Sequence, residues 1–257
     1  MKTTAAVLVR NEELISGVNL MEFDAPTISS VAEPGQFVMV RCNESTVIPR
    51  PFSIHNSNRE AGRLSLLVAV KGRGTRWLAR RRPEEKASIT GPLGNCFTLP
   101  EKPSRLLLVG GGIGIAPLVY LAFIASVRHD VTMLVGAASA SKLYPTGLLP
   151  HSVTTVNVTE DGSEGRRGRV SDALPDYIGW AEYVYACGPT PMYRSLNEKL
   201  EASRKEIATE VSLEVRMGCG SGICYGCTVR TLHGMKQVCR DGPIFNIRDI
   251  VWESVVC

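Results

Sequence analysis

The sequence of 257 residues lacks long blocks of one charge, internal repeats and low-complexity tracts, and each absence excludes a class of protein. Its formal net charge of +4 arises from interspersed Lys, Arg, Asp and Glu, without the basic stretches and interleaved aromatics that nucleic-acid binders concentrate on one surface. Nucleic acid is therefore not an expected partner. The first ten residues have no charged segment leading into an apolar run and a small-residue cleavage site, so a reducing, cytoplasmic compartment is expected. His55, His129, His151 and His233 lie far apart without ligand spacing and receive no role. One uncharged run, residues 106–127, has the length of a membrane span. Its glycines, Gly110, Gly111, Gly112 and Gly114, together with Pro117, would open or kink a spanning helix, whereas a buried strand, tight turn and helix use them naturally. No membrane span is expected.

What is present suits an ordinary folded chain. A hydrophobic fraction of 44% is enough to bury a sizeable core over two ordinary domains and a small appendage. The cysteines are Cys42, Cys96, Cys187, Cys219, Cys224, Cys227, Cys239 and Cys257, and half of them crowd into residues 219–239. In a reducing compartment such crowding points to a metal site, since a disulfide scaffold is normally shorter and secreted. The scattered four read as small buried or exposed thiols.

Three stretches follow one another. Residues 1–100 carry short alternating runs at 5–9, 18–23, 37–41, 52–55, 64–70 and 87–90, separated by turn signals, which predicts a small antiparallel β-barrel. One helix is expected there, capped by Thr75 and running toward Arg82 before Pro83. Residues 101–213 alternate apolar strands with helical stretches and predict an open, mostly parallel α/β sheet. Residues 214–257 lose periodicity and gain glycine and cysteine; a bound metal centre would help so short a tail to fold.

The most specific motif is Cys219, Cys224, Cys227 and Cys239, spaced C-x4-C-x2-C-x11-C, which matches the spacing of plant-type [2Fe–2S] sites. Structural zinc is the competing reading, but it more often uses two C-x2-C knuckles and this stretch has one. The run L-L-L-V-G-G-G-I-G-I-A-P places Gly111, Gly112 and Gly114 between a strand and a helix, where backbone can approach a dinucleotide phosphate. It is not G-x-G-x-x-G, and glycines that merely permit close packing remain the alternative. Thr159, Glu160 and Asp161, and likewise Cys187, Gly188 and Pro189, follow predicted strands and so fall on the ligand-binding edge of such a sheet, with Cys187 near a nicotinamide. In the barrel, Arg50 could pair with a pyrophosphate, Ser53 could bond a flavin ring, and Gly74 with Thr75 could offer a helix start to phosphates. Each of these is weak alone. The basic cluster Arg76, Arg80, Arg81 and Arg82 reads first as a solvated helix end and second as a docking patch for an acidic partner.

In combination and order, R-P-F-S, G-R-G-T, G-P-L-G-N, G-G-G-I-G-I-A-P, T-E-D-G-S, C-G-P-T-P-M, R-M-G-C-G-S-G-I-C and V-C-R-D-G-P-I-F resemble the ferredoxin-reductase superfamily. Over almost the whole chain the pattern is similar to its dihydroorotate dehydrogenase electron-transfer branch. The resemblance implies a FAD-binding barrel, an NAD-binding α/β domain and a C-terminal cluster module. It implies that Arg50, Pro51, Phe52, Ser53, Leu67, Val68, Ala69, Gly74 and Thr75 contact FAD, and that the four clustered cysteines hold the iron. It also implies a separate FMN-containing catalytic subunit that oxidises dihydroorotate to orotate, in a heterotetramer of two of each chain. Two features depart from the pattern: Cys96 stands where glycine is expected, and Ala137-Ala138-Ser139 supplies no acidic ribose anchor, so NAD over NADP rests on the resemblance.

Hydride chemistry on a flavin needs few catalytic side chains, and none is assigned. The three stretches use all 257 residues, leaving dihydroorotate and its base to the partner. The rivals are the small subunit of a sulfide dehydrogenase or of an NAD(P)H:ferredoxin oxidoreductase, and, from another class, a non-catalytic redox-sensing module.

Overall fold

The computed structural model describes residues 2–42 and 48–255; Cys257 lies outside them. The first layer comprises β1 (Lys2–Ile15), β2 (Val18–Asp24), α1 (Pro26–Ser29), β3 (Phe37–Arg41), β4 (Arg50–Asn58), β5 (Arg63–Ala69), α2 (Arg73–Ala79) and β6 (Lys86–Leu93). Its strands close into a barrel in the order β1-β2-β5-β4-β3-β6, with every pairing antiparallel. Alternation fills the interior with Phe23, Val38, Val40, Ile54, Leu64, Leu66, Val68 and Ile89, all buried. Each such side chain contributes about 1.5–3 kcal/mol by leaving water. Strand β1 runs well beyond its expected end because it changes partner: residues up to Val7 pair with β6, and those from Val7 to Ile15 pair with β2 through two bulges.

Two local expectations in the barrel need correction. Helix α1, one turn opened by Pro26, has too few residues to show a helical period in the sequence. Helix α2 begins at Arg73 with Gly72 as its cap residue, so Thr75 is not the cap. Instead the Thr75 hydroxyl sits in the first turn and accepts the N–H groups of Lys71 (2.9 Å) and Gly72 (3.0 Å).

The second layer contains β7 (Arg105–Gly111), α3 (Ile115–Ala125), β8 (Asp130–Ala137), β9 (Thr154–Thr159), β10 (Arg166–Arg167), α4 (Leu174–Ile178), β11 (Tyr183–Cys187), α5 (Thr190–Ala202) and β12 (Ala208–Ser212). The tail adds β13 (Thr228–Thr231), β14 (Gly234–Gln237), α6 (Val238–Asp241) and β15 (Ile244–Asn246). The sheet order is β10-β9-β8-β7-β11-β12-β15, parallel throughout except for β15 at the edge. Strand β15 comes from the cysteine-rich tail, so the tail completes the sheet of the preceding stretch.

The apolar run at 106–127 is now accounted for. Strand β7 is central and covered on both faces, and α3 is wedged between the sheet and the barrel, which buries nearly all of its residues. Tyr120 of α3 is packed in the barrel core and donates to the Ala32 carbonyl at 2.9 Å. Among the described residues no helix is long and apolar enough to cross a membrane. On the opposite face of the sheet, one continuous core joins α5, the tail residues Cys227, Val229, Val238 and Trp252, and Met39 and Leu93 of the barrel. The tail therefore shares its hydrophobic core with the rest of the chain.

Candidate functional site

Strand order reverses between β7 and β11, and their carboxyl ends meet there, with Gly110 opposite Cys187 in register. Such a switch point opens a crevice for ligands. Gly114 packs directly beneath it: a Cβ in its place would lie 2.4 Å from the Cys187 carbonyl oxygen, closer than any side chain tolerates. The loop that begins at Gly111 lines two cavities. Gly111 and Gly112 face one of about 350 Å³, whereas Ile113 and Ala116 face another of about 660 Å³.

The larger cavity lies between barrel and sheet. Arg50, Pro51, Phe52 and Ser53 of β4, with Leu67 and Ala69 of β5, line one side, and residues 212–217 line the other. Apolar walls, hydroxyls at Ser53 and Ser212, and the cations Arg50 and Lys71 suit a flat aromatic ring system tied to a pyrophosphate. Gly74 adjoins the same corner, since a Cβ there would sit 3.8 Å from the Arg50 Nε and 3.1 Å from the Cys42 Sγ. Closely packed protein around Glu214 raises its pKa, with Lys71 pulling the other way, and water in the open cavity tempers the rise. Beneath the floor, Cys187 is fully buried with its Sγ 4.0 Å from the Glu214 Oε1. Burial first, and the Glu214 charge second, push the Cys187 thiol well up, which keeps it neutral.

Two residues past the cavity wall the chain enters the cysteine loop. Among the described residues no three His, Cys, Asp or Glu side chains converge tightly enough to hold a single metal ion. The fit to a multi-iron centre rests instead on the backbone, which turns its amides toward the sulfurs. Ser221 and Cys224 donate N–H groups to the Cys219 Sγ (3.4 and 3.5 Å), Gly222 to the Cys239 Sγ (3.1 Å), Cys239 to the Cys227 Sγ (3.4 Å) and Gly226 to the Cys224 Sγ (3.5 Å). Amides so placed favour thiolates and tune a cluster they surround. Burial opposes this at Cys219, but the Ser221 and Cys224 amides prevail and hold its thiol down at about 5. Cys239 is pushed up by burial and by the Cys227 thiol beside it, a repulsion that bound iron would relieve. The loop docks on the barrel through Gly220, at φ +72°, where a Cβ would come within 2.6 Å of Met39.

Known proteins match most of this chain. Residues 5–97 match the oxidoreductase FAD-binding domain family, and residues 214–251 match the iron–sulfur cluster binding domain of dihydroorotate dehydrogenase B. The dihydroorotate dehydrogenase B (NAD(+)) electron transfer subunit of Desulforamulus reducens is 39% identical over 91% of this chain and 92% of that protein. Its counterpart in Caldanaerobacter subterraneus subsp. tengcongensis is 35% identical over 96% and 98%. The chain belongs to the dihydroorotate dehydrogenase B electron-transfer subunit family. A solved NADH-dependent reduced ferredoxin-NADP oxidoreductase, described in the context of flavin-based electron bifurcation, superposes with a TM-score of 0.88. It is 28% identical and covers 98% of this chain and 91% of that one.

For this member of the family, the expected site residues divide into those that face a cavity and those that support its walls. Arg50, Pro51, Phe52, Ser53, Leu67 and Ala69 line the larger cavity, and Gly111, Gly112, Glu160 and Pro189 line the smaller. Val68 points into the barrel core between its cavity-lining neighbours, as strand alternation requires. Thr159 is buried and binds Glu164 through its hydroxyl, and Asp161 turns away to bond Ser163. Cys187 and Gly188 lie under the floor. Sequence reasoning missed residues 212–217 as cavity wall, together with Arg169 and Ser171 in the smaller cavity, whereas Met192 ends the C-G-P-T-P-M run expected on the ligand-binding edge. Only the abrupt loss of periodicity after β12 marked the first group. The G-P-L-G-N run is also more than a turn: the Asn95 carboxamide holds Ile244 by its N–H (2.9 Å) and carbonyl (3.0 Å).

Proposed function

We propose that this chain is the electron-transfer half of an NAD-linked dihydroorotate dehydrogenase. Residues 1–100 serve FAD, residues 101–213 serve NAD, and residues 214–257 serve a [2Fe–2S] cluster. The observation that carries the reading is the wall formed by residues 212–217, which borders the large cavity and leads through Met217 into Cys219 within two residues. This continuity supports a one-electron centre held close to a flavin-sized cavity. Bound there, the two groups supply one-electron and hydride chemistry.

The chain's own residues bind and orient. Arg50 would neutralise a pyrophosphate, aided by Gly74 and Thr75 at the start of α2, while Pro51, Phe52, Ser53, Leu67 and Ala69 would hold the ring system, with Val68 anchoring their strand in the barrel core. Gly111, Gly112, Gly114, Thr159, Glu160, Asp161, Cys187, Gly188 and Pro189 shape the nicotinamide dinucleotide site. Cys219, Cys224, Cys227 and Cys239 hold the iron. Dihydroorotate is oxidised on an FMN-containing partner, in a cytoplasmic heterotetramer of two of each chain.

The test is reconstitution. Mixed with its cognate FMN-containing subunit, the chain is expected to yield NADH on addition of dihydroorotate and NAD+, whereas neither chain alone does so. The likeness to the reduced ferredoxin-NADP oxidoreductase supports a second reading, a small subunit that exchanges electrons with a ferredoxin-linked partner. Turnover supported only by ferredoxin, sulfide or polysulfide would transfer the assignment to that reading. Complete lack of NADH:acceptor activity in the FAD-loaded protein would favour a redox-sensing module.

A further inference from the structure

The carboxyl end of β8 ends in Ala137 and Ala138, so the strand next to the glycine loop brings no acid to a bound ribose. Its neighbour β9 does. The chain leaving β9 folds over the end of β8, with the Glu160 N–H bonded to the Ala137 carbonyl (3.1 Å) and the Asp161 N–H to the Ala138 carbonyl (3.2 Å). This pins Glu160 over the vacant strand end, on the wall of the cavity that Gly111, Gly112, Pro189 and Met192 line.

Three carboxylates occur in this turn, and two have other work. The Asp161 carboxylate accepts the N–H (2.9 Å) and hydroxyl (2.6 Å) of Ser163, and that of Glu164 accepts the Asn157 amide (2.6 Å). No hydrogen bond or ion pair engages the Glu160 carboxylate among the described residues, although it lines the cavity. The cavity wall holds one other charged residue, Arg169. One carboxylate and one guanidinium leave it with no net charge.

We propose that Glu160 determines dinucleotide specificity, its carboxylate accepting the 2′-hydroxyl of the adenosine ribose and cancelling the field of Arg169 that would otherwise attract a 2′-phosphate. The inference rests on the reading that the smaller cavity takes the adenosine end of a nicotinamide dinucleotide. A 2′-phosphate dianion placed beside Glu160 meets like charge and loses the acceptor's only favourable contact, whereas a 2′-hydroxyl gains a charge-assisted hydrogen bond. Because this end of the dinucleotide is remote from the hydride, the effect belongs in binding and KM, with kcat nearly constant.

The experiment uses the FAD-loaded, cluster-loaded protein. Calorimetric titration with NAD+ and NADP+, and NADH- and NADPH-to-dye kinetics, are compared for the wild type, Glu160→Gln, Glu164→Gln and Glu160→Gln/Arg169→Ala. Glu160→Gln is expected to weaken NAD+ binding about 10-fold and to strengthen NADP+ binding by a similar factor, the range of one hydrogen bond to a charged group. Glu164→Gln is expected to leave the NAD+/NADP+ ratio within about 2-fold of wild type, because its carboxylate serves the Asn157 amide of the turn. The double variant is expected to lose the gain toward NADP+, since Arg169 is its source. Unchanged selectivity in Glu160→Gln, with NADH still oxidised, overturns the inference alone. A wild type that binds neither dinucleotide overturns the nucleotide reading and the inference with it.

Discussion

The Tyr193 hydroxyl donates to the Ser212 backbone oxygen at 2.5 Å. The Tyr193 hydroxyl oxygen in turn accepts the Gly188 N–H at 2.9 Å, and the ring stacks on Trp252 of the tail with centroids 5.2 Å apart. A single buried side chain thereby ties the turn after β11 to the wall of the large cavity and to the cysteine-rich tail.

Tyr193→Phe keeps the stack and removes the oxygen, leaving the buried Gly188 N–H without its acceptor. The expected cost is about 1–3 kcal/mol of stability, together with a higher KM for NADH, because the Cys187-Gly188-Pro189 turn is no longer held. Urea unfolding and NADH-to-dye kinetics on the same preparation check this. Unaltered midpoints and unaltered KM would show that the ring stack alone fixes the turn.

Much of this architecture was legible in the sequence, because strand alternation and glycine placement follow from backbone geometry alone. The barrel strands at 18–24 and 37–41 and the glycine loop after β7 appear where the pattern puts them. Less legible were features that depend on partners distant in the chain. Nothing local in residues 244–246 indicates that they become the edge strand beside β12, and nothing near Asn95 indicates that its amide will grip Ile244, 149 residues away. The cavity wall at 212–217 was hidden for the same reason: it is irregular backbone, defined by the barrel opposite it.

His55 of the barrel meets Tyr144 of the α/β layer, Nε2 to hydroxyl at 3.0 Å, and is only 6% exposed. Burial lowers its pKa from 6.5 to about 4. Between those values the unfolded chain takes up a proton that the folded chain refuses, so His55 weakens folding as pH falls through this window and has no such effect above it. Replacing it with Gln is expected to remove that component. The difference in urea midpoint between His55→Gln and wild type should shift in favour of the variant as pH is lowered from 7 toward 5. A difference that stays constant with pH would mean that water reaches the imidazole.

Cysteines inside and outside the ligand run should separate cleanly. Cys219→Ser removes a sulfur that receives two amide hydrogens and is expected to abolish or strongly perturb the cluster's visible absorption. Cys42→Ser alters a buried thiol in the barrel beside Gly74 and is expected to leave that absorption intact. With FAD still bound, the Cys219 variant should keep much of its NADH-to-dye activity while losing NADH formation with the dihydroorotate-oxidising partner. Equal loss of absorption in both variants would show that the ligand set has been misassigned.

The clasp at Asn95 gives the last expectation. Its amide nitrogen donates to the carbonyls of Ile244 (3.0 Å) and Asp241 (3.3 Å), its oxygen accepts the Ile244 N–H (2.9 Å), and its own N–H reaches the Gly242 carbonyl (2.7 Å). These bonds hold the turn between α6, which carries Cys239, and β15, which closes the sheet. Asn95→Ala leaves the backbone bond and removes the side-chain bonds, at a cost of about 1–2 kcal/mol since the site is partly solvated. The turn it frees is next to a cluster ligand, so local opening should expose the cluster before the barrel melts. The expected result is faster bleaching of the cluster absorption under air or chelator, with FAD retained. Asn95→Asp restores the acceptor for Ile244 without the donor and should fall between wild type and Asn95→Ala. Cluster decay indistinguishable across the three proteins would place the restraint on Cys239 elsewhere, in the shared core around Val238 and Trp252.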